Sequence, residues 1–295
     1  MRKRLLLTLA VSLLAITASS QLLWKVTGNG LARPSYIMGT YHMAPASMMD
    51  KIGGMEQALQ GCDVVVGEIE KESLLSQEAQ MAMAQAMMAP PDSTLDKLFS
   101  PEDYAIVESV FNKYFGNMGV KLSQMNILKP GAISMQMQAM QAVKNFPNFN
   151  QSEFIDMAVQ TRANKLGRPS IGLETVEEQI DLLFNGPLTE QAEGLLDACK
   201  KDDLFMVQSS ALVEAYMSQD LSKIEKVITD PELGGDDAEA MDALIYDRNR
   251  AWAAKLAQMM PERACLVCVG AGHLPGTQGL LQLLRDRGYT VEPMQ

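Results

Sequence analysis

The sequence predicts an α/β protein with a central mixed β-sheet that is built from both ends of the chain and flanked by helices. Short apolar runs rich in β-branched residues occur within residues 21–70 and again within residues 264–292. Helix-forming residues dominate most of the chain between them. Because a sheet must bury its apolar faces, the simplest assembly joins the terminal strands into one sheet covered by the intervening helices.

The first strands form a predicted hairpin. Residues 21–26 and 35–38 are apolar runs on either side of an Asn-Gly step, which is typical of a β-hairpin. A helix is expected over residues 51–60. Residues 63–70 begin with a nearly continuous β-branched run, which predicts a strand that is covered on both faces.

Residues 71–169 are predicted to form a methionine-rich helical insertion that caps the sheet. Strand signals are nearly absent there, and prolines divide the segment into several helices. Its methionines are Met81, Met83, Met87, Met88, Met118, Met125, Met135, Met137, Met140 and Met157. Thioethers can bind Cu(I), but methionines at helical spacing among Ala and Gln are more typical of a pliable apolar face. Such a face would suit an apolar peptide, a lipid-like ligand or a porphyrin.

The rest of the chain is predicted to add short apolar strands and longer helices. The predicted strands are residues 170–174, 264–269 and 289–292. The predicted helices are residues 176–184, 189–199, 204–217, 238–259 and 277–286. A Gly-Gly-Asp-Asp sequence at residues 234–237 predicts a loop before the longest of these helices.

Residues 1–20 have the pattern of a secretory signal peptide, with a basic start, an apolar stretch and a small-residue end. We therefore expect a domain over residues 21–295 that is exported to the periplasm or the extracellular space. The apolar stretch is short for a membrane span of about 20 residues, although an uncleaved anchor is the alternative. Removing the signal moves the net charge from −11 to −14. No nucleic-acid partner is expected, because nucleic-acid binding needs a basic surface.

The four cysteines are expected to be buried and apolar. Cys265 and Cys268 have the C-x-x-C spacing of redox and zinc sites, but they lie in a predicted strand. In a strand they would be about 10 Å apart and on opposite faces, whereas a disulfide needs Cα atoms within about 7 Å. A bridge between Cys62 and Cys265 remains open if their strands are neighbours.

Both histidines of the chain close the same tetrapeptide pattern, G-x-x-H. His42 ends G-T-Y-H, His273 ends G-A-G-H, and each motif directly follows a predicted buried strand. Ligands bind open α/β sheets beyond the carboxyl ends of their strands. Histidine is also the commonest metal ligand and the usual acid or base near neutral pH. The pair therefore predicts one shared site, against the alternative of two hydrogen-bonded structural histidines.

Glutamates at strand ends are the predicted carboxylate partners of this site. Glu68 ends a buried run, where an uncompensated carboxylate is costly, and Glu70 is expected on the same strand face. Glu174 ends another apolar run. Arg248, in the predicted helix 238–259, is expected to orient a carboxylate or to bind substrate. The alternatives are solvated or helix-capping acids and a surface charge run.

Several motifs, in order along the chain, resemble the TraB/GumN/PrgY family. They are L-L-W-K-V-T-G-N-G at 22–30, S-Y-I-M-G-T-Y-H at 35–42, E-I-E at 68–70, G-L-E-T-V-E-E-Q at 172–179, R-N at 248–249, V-G-A-G-H-L at 269–274 and L-R-D-R-G-Y-T-V at 284–291. The resemblance covers essentially the whole chain after residue 20, and it is strongest at the two ends.

This family includes the Tiki metalloproteases, which are related by fold to erythromycin esterase and to a haem-binding lipoprotein group. The resemblance implies an α/β fold in which His42, His273 and Glu68 form a metal centre. Glu174, Arg248 and Asn249 are the implied supporting catalytic positions. The implied metal is Mn²⁺ or Co²⁺ rather than Zn²⁺. The methionine-rich segment matches no motif of the family, so substrate specificity would be set there.

These features predict an exported metal-dependent hydrolase, most simply a peptidase acting on a peptide or protein substrate. The metal would polarise the scissile carbonyl and lower the pKa of its bound water. Glu68 or Glu174 would ligate the metal or act as general base. Two alternatives remain open. One is a non-catalytic binder of haem or an apolar peptide in the cell envelope, and the other is a structural or signalling protein there.

Overall fold

The computed structural model describes residues 21–145, 154–233 and 238–294. The predicted signal peptide at residues 1–20 and the predicted loop at residues 234–237 lie outside this range. Within it, six strands form one mixed sheet in the order β4-β3-β5-β2-β1-β6. The strands are β1 (Leu23–Gly28), β2 (Ser35–Thr40), β3 (Val64–Gly67), β4 (Ser170–Gly172), β5 (Cys265–Gly270) and β6 (Tyr289–Pro293). The predicted α/β class and mixed sheet are confirmed.

Four neighbouring strands of this sheet run parallel to one another. β5 pairs in parallel with both β2 and β3, and β3 pairs in parallel with β4. β1 is antiparallel to both β2 and β6. The carboxyl ends of β2, β3, β4 and β5 therefore lie at the same edge of the sheet.

The predicted hairpin between β1 and β2 is confirmed. Gly28, Asn29 and Gly30 all have positive φ angles, of 78°, 45° and 80°. Glycine adopts this region without a steric penalty, and asparagine tolerates it better than most residues. The turn closes with a hydrogen bond from the Leu31 amide to the Gly28 carbonyl.

Helices cover the sheet and fill the chain between its strands. The α-helices are α1 (Met55–Gly61), α2 (Lys71–Leu75), α3 (Gln77–Ala86), α4 (Leu95–Leu98), α5 (Pro101–Phe115), α6 (Pro130–Asn145), α7 (Ile155–Lys165), α8 (Val176–Phe184), α9 (Leu188–Lys200), α10 (Asp202–Met217), α11 (Leu221–Ile228), α12 (Ala238–Met241), α13 (Asp247–Met259) and α14 (Leu280–Asp286). In the part of the chain that the structure describes, no helix is both long enough and apolar enough to be a transmembrane segment.

Three helix predictions need correction. The helix expected over residues 51–60 starts only at Met55, because Gly54 has a φ of 80° and cannot continue a right-handed helix. The helix expected over residues 238–259 is interrupted by a π-helical turn at Asp242–Tyr246. The sequence analysis missed α11, although Asp220 is a typical N-cap whose carboxylate accepts bonds from the Ser222 and Lys223 amides.

The expectation that Glu70 shares a strand face with Glu68 is wrong. β3 ends at Gly67, and Glu70 immediately precedes α2, where its carboxylate accepts a bond of 2.6 Å from Ser73 Oγ. A Cβ on Gly67 would lie only 2.9 Å from the Ile69 carbonyl oxygen. The chain therefore turns directly after Gly67, which a longer strand would not allow.

The apolar interior has one large part around the sheet and a second part among helices. The large cluster includes Ile37, Leu266 and Trp252, all fully buried. The second lies among α4, α5, α6 and α9 and includes the buried residues Leu95, Val107, Phe111, Leu122, Ile133 and Leu195. Residues 71–145 and 155–165 contain α2 to α7 and two short 3-10 helices at 116–118 and 122–125, whereas residues 87–94 are not helical. Within that segment α7 packs against the sheet, since Ile155, Val159 and Ala163 belong to the large cluster.

All four cysteines are buried and have free thiols. β3 and β5 are neighbours, as a Cys62–Cys265 bridge would require. The Cys62 thiol instead donates to the Leu59 carbonyl at 3.3 Å, and the Cys265 thiol to the Arg263 carbonyl at 3.4 Å. The thiols therefore pack as small apolar groups, in agreement with the sequence analysis.

Candidate active site

The fold brings the predicted site residues together at the carboxyl edge of the parallel strands. Thr40 at the end of β2 pairs with Gly270 at the end of β5, and Gly67 of β3 pairs with Gly172 of β4. His42, Glu68, Glu174 and His273 follow β2, β3, β4 and β5 in turn. Arg248 and Asn249, on α13, contact these residues from above the edge.

His42 is held by an aspartate that the sequence analysis did not identify. Its Nδ1 lies 3.1 Å from Asp156 Oδ2, while Thr40 Oγ1 donates to Asp156 Oδ1 at 2.6 Å. The charge of Asp156 raises the pKa of His42 to about 10, against the opposing effect of burial. The side chain is nevertheless 61% exposed, and its Nε2 lies 3.8 Å from Glu68 Oε1. His42 therefore presents Nε2 towards Glu68 with its ring orientation fixed.

Glu68 is an ionised carboxylate at the centre of the site. Its side chain is 9% exposed. Oε1 accepts a bond of 2.8 Å from the Gly270 amide, and Oε2 accepts one of 2.7 Å from Arg248 Nη2. Burial alone would raise the pKa of Glu68. The charges of His42 and Arg248, joined by that of His273 once His273 is protonated at low pH, outweigh burial and lower the pKa to about 2.

His273 is buried, and Asn249 determines its tautomer. Asn249 Nδ2 donates to the carbonyls of His273 and Gln278 at 3.1 and 2.9 Å, which orients the amide. Asn249 Oδ1 is then the atom that lies 2.8 Å from His273 Nδ1. Because an amide oxygen can only accept, Nδ1 carries the proton and Nε2 carries the lone pair. Burial lowers the pKa of His273 to about 4, so the ring is neutral at pH 7.

Arg248 links the two strand-end glutamates. Its Nε and Nη2 each donate to Glu174 at 2.8 Å, and Nη2 also donates to Glu68. Its guanidinium lies 4.6 Å from the Trp252 ring centroid, and Nη1 is 3.3 Å from His273 Nε2. Glu174 accepts a further bond of 2.9 Å from Trp252 Nε1. Both carboxylates and the cation are thus fixed before any substrate binds.

The glycines of the two G-x-x-H motifs allow these side chains to converge. A Cβ on Gly270 would lie 3.4 Å from Glu68 Oε1, 3.4 Å from His273 Cδ2 and 3.7 Å from His42 Nε2. A Cβ on Gly39 would lie 3.1 Å from both Cα and Cβ of Ala271. Gly270 therefore lies where both histidines and Glu68 meet, and Gly39 lets the two motifs pack together.

The donor set fits a divalent metal chemically, although one neighbour must move. Among the described residues, no three His, Cys, Asp or Glu side chains already stand as a metal-ligand group. Both imidazoles have Nδ1 engaged by an oxygen atom, which is the arrangement typical of metal-binding histidines. Two imidazole nitrogens and a carboxylate suit first-row metals such as Mn²⁺ or Co²⁺. Arg248 Nη1 would have to leave His273 Nε2 for both histidines to share an ion.

A pocket of about 240 Å³ lies beside His42 and Glu68. Its other lining residues are Met43, Gly67, Ile69, Leu74, Phe154, Asp156, Met157, Gln160, Gln179 and Cys268. Most of this surface is apolar. Five of the lining residues, Leu74, Phe154, Asp156, Met157 and Gln160, fall within the predicted methionine-rich segment, so part of that segment borders the site.

Asp156, Thr40 and Trp252 belong to the site but were not predicted from the sequence. Asp156 has the sequence context of an ordinary acidic residue in the first turn of a helix, and nothing in the sequence indicates that it contacts His42. Trp252 could have been found, because residues 248, 249 and 252 share one face of α13 by helical spacing. Thr40 could have been found as well, because it lies within the first G-x-x-H motif.

Comparison with known proteins gives two related sequences and one family. A protein described as uncharacterized protein YbaP from Shigella flexneri is 28% identical over 255 residues, which are 86% of this chain and 88% of that protein. YbaP from Escherichia coli K12 is 27% identical over the same coverage. No solved structure matches the chain. The model of the TraB/PrgY/gumN family matches residues 22–293, and the chain therefore belongs to that family.

Proposed function

We propose that the chain is a metal-dependent hydrolase of peptides, with His42, His273 and Glu68 as ligands of Mn²⁺ or Co²⁺. The observation that carries this proposal is the convergence of these three side chains around Gly270, with His42 Nε2 3.8 Å from Glu68 Oε1. When bound, such a metal polarises a carbonyl group and lowers the pKa of its bound water.

The roles of the histidines follow from the atoms that hold them. Asp156 engages Nδ1 of His42, and Asn249 engages Nδ1 of His273, so Nε2 is the nitrogen left on each ring to coordinate a metal. His42, whose pKa is raised to about 10, would release a proton when the metal binds. Oxygen partners at Nδ1 fix the ring orientation and increase the basicity of the ligating nitrogen. Asp156 and Asn249 are therefore positioning residues in this proposal.

The two glutamates have different roles. Both oxygens of Glu174 are occupied, by Arg248, Trp252 and Gln179, so it serves to hold Arg248 in place. Oε1 of Glu68 lies close to His42 Nε2, which suits a metal ligand or a proton acceptor. The Arg248 guanidinium is the positive group beside the site, and it would stabilise negative charge that develops on a substrate carbonyl oxygen.

Export to the periplasm or the extracellular space is part of the proposal, with residues 1–20 as the cleaved signal. The basic start, apolar stretch and small-residue end of that segment support it. The substrate would then be a peptide or protein of that compartment.

Metal analysis of the wild type, His42→Ala and His273→Ala tests the proposal. The wild type, loaded with Mn²⁺ or Co²⁺, is expected to retain one ion per chain and to cleave members of a broad peptide library. Both variants should lose the metal and the activity. Leu75→Ala, which truncates an exposed side chain on α2, is the control and should retain both. Full metal retention in both histidine variants would refute the shared site.

A second candidate function is peptide binding without catalysis. The position of Arg248 Nη1, 3.3 Å from His273 Nε2, favours it, because a cation there opposes a metal ion. In that case peptides bind equally well with a chelator present and are not cleaved. A porphyrin is disfavoured as the ligand of the pocket beside His42, since its volume of about 240 Å³ is below the roughly 300–1,000 Å³ of pockets for drug-sized ligands.

A further inference from the structure

We propose that the pocket beside His42 binds one large apolar side chain, such as Phe, Leu or Met, of the substrate peptide. The side chain would belong to a residue that flanks the scissile bond. This inference rests on the proposed peptide hydrolysis, because it names the residue type that the same site selects.

The walls of the pocket are mainly apolar. Met43, Ile69, Leu74, Phe154 and Met157 come from four separate parts of the chain and face one space of about 240 Å³. Burying a large apolar side chain in such a space is favourable, whereas an alanine would leave most of it unfilled. The volume suits one side chain rather than a whole small-molecule ligand.

The pocket adjoins the reactive groups, since His42 and Glu68 form part of its wall. A peptide that places a side chain among the apolar walls must therefore pass its own backbone across these two residues. The carbonyl group brought closest to His42 Nε2 then belongs to the residue in the pocket or to its neighbour. This adjacency assigns the pocket to a residue that flanks the cleaved bond.

Gln160 and the two carboxylates of the pocket, Glu68 and Asp156, already have partners within the protein. Gln160 is 2% exposed, accepts from the Lys71 amide at 2.8 Å and donates to the Ile69 carbonyl at 3.1 Å. Glu68 is paired with Arg248, and Asp156 with His42. A cationic substrate side chain would therefore find no carboxylate without a partner. An acidic one would meet only His42 Nε2, which the proposed metal occupies, so an apolar side chain is favoured.

The test uses peptides that differ at one residue and variants that narrow the pocket. Alanine-based fluorogenic peptides carry Phe, Leu, Ala or Lys at each position in turn. For the metal-loaded wild type, kcat/KM is expected to be roughly tenfold or more higher for Phe or Leu than for Ala at one position flanking the cleaved bond. Leu74→Trp should abolish that preference by lowering kcat/KM for the Phe and Leu peptides to about the level of the alanine peptide.

Leu75→Trp is the matched control, because Leu75 is 55% exposed on the same helix and does not line the pocket. It should keep the wild-type preference. Met157→Trp narrows the same pocket from α7. Loss of the preference in both variants would then not be explained by a packing defect that Leu74→Trp causes in α2. An unchanged preference in both Leu74→Trp and Met157→Trp would overturn the pocket assignment while leaving hydrolysis intact.

A binding measurement separates failure of the pocket from failure of hydrolysis. Methyl NMR signals of Met43 and Met157 are followed in metal-free protein during titration with N-acetyl-phenylalaninamide or N-acetyl-alaninamide. Shifts of both signals are expected with the phenylalanine compound only, and they should vanish in Leu74→Trp. Shifts without any peptide cleavage would support the pocket and contradict the hydrolase. Absence of selective shifts would overturn the pocket whatever the activity.

Discussion

Replacing Arg248 with alanine is expected to lower the free energy of unfolding of the metal-free protein by about 3–5 kcal/mol. The Arg248 side chain is 15% exposed and donates bonds of 2.7–2.8 Å to Glu68 and Glu174, whose side chains are 9% and 11% exposed. Alanine removes the cation and leaves two nearly buried carboxylates without it. Breaking a buried ion pair from one side has this large cost because the remaining charge stays desolvated.

Urea denaturation at pH 7 with a chelator, followed by circular dichroism, gives the free energies to compare. Arg250→Ala is the matched control on the same helix. Arg250 is 47% exposed and pairs with Asp247 and with Gln278 Oε1. An exposed pair contributes only roughly 0–1 kcal/mol, so this variant should remain close to the wild type.

The reasoning is refuted if Arg248→Ala loses less than about 1 kcal/mol, as expected for Arg250→Ala. Arg248→Lys supplies a second check. Lysine keeps the positive charge but lacks the planar guanidinium that donates to Glu174 and Glu68 at once. The Arg248→Lys variant should therefore lose an intermediate amount of stability.

Three further predictions concern glycine packing, a tryptophan bond and pH. Gly39→Ala should destabilise the protein by about 1–3 kcal/mol, because the new Cβ would crowd Ala271. Gly194→Ala is the control: a Cβ there meets nothing within 4 Å, and in a helix alanine should be neutral or stabilising by up to about 1 kcal/mol. Thermal unfolding compares the two variants. Trp252→Phe should cost about 1–3 kcal/mol in urea denaturation, because Glu174 loses the Nε1 donor while it remains buried. Glu68 has a pKa of about 2 against an ordinary 4.5, so its stabilising contribution is fully present above about pH 4.5 and is lost as the pH falls towards 2. Acid unfolding of the metal-free wild type should therefore depend more steeply on pH over that interval than that of Glu68→Gln, and equal slopes would contradict the shift.

The sheet and the strand-end residues could be predicted because their signals are local. A β-branched run followed by a glycine and a polar residue identifies a strand and its end, as in Val64, Val65 and Val66 before Gly67 and Glu68. The repeated G-x-x-H pattern then placed both histidines at such ends. Because β5 pairs in parallel with β2 and β3, the ends of these three strands lie at one edge of the sheet, which brings the predicted site residues together.

The partners of these residues could not be predicted, because they depend on packing between distant segments. Asp156 reaches His42 only because α7 packs against the sheet. A π-helical turn directly precedes α13, the helix that carries Arg248, and no residue between 242 and 246 indicates that turn. Glu70 was misplaced because a period of two holds only while the strand continues, and the turn after Gly67 ends it.

The position of β5 between β2 and β3 has a consequence for how the protein is made. Gly270 ends this strand and His273 follows it directly, so both are synthesised long after β2 and β3, and Gly270 follows Glu68 by 202 residues. A chain that is still on the ribosome and has not yet released β5 contains His42 and Glu68 but lacks the strand that holds them at the right spacing. Any chemistry of this site therefore begins only when translation has passed residue 273, and truncated products that stop earlier carry no assembled centre.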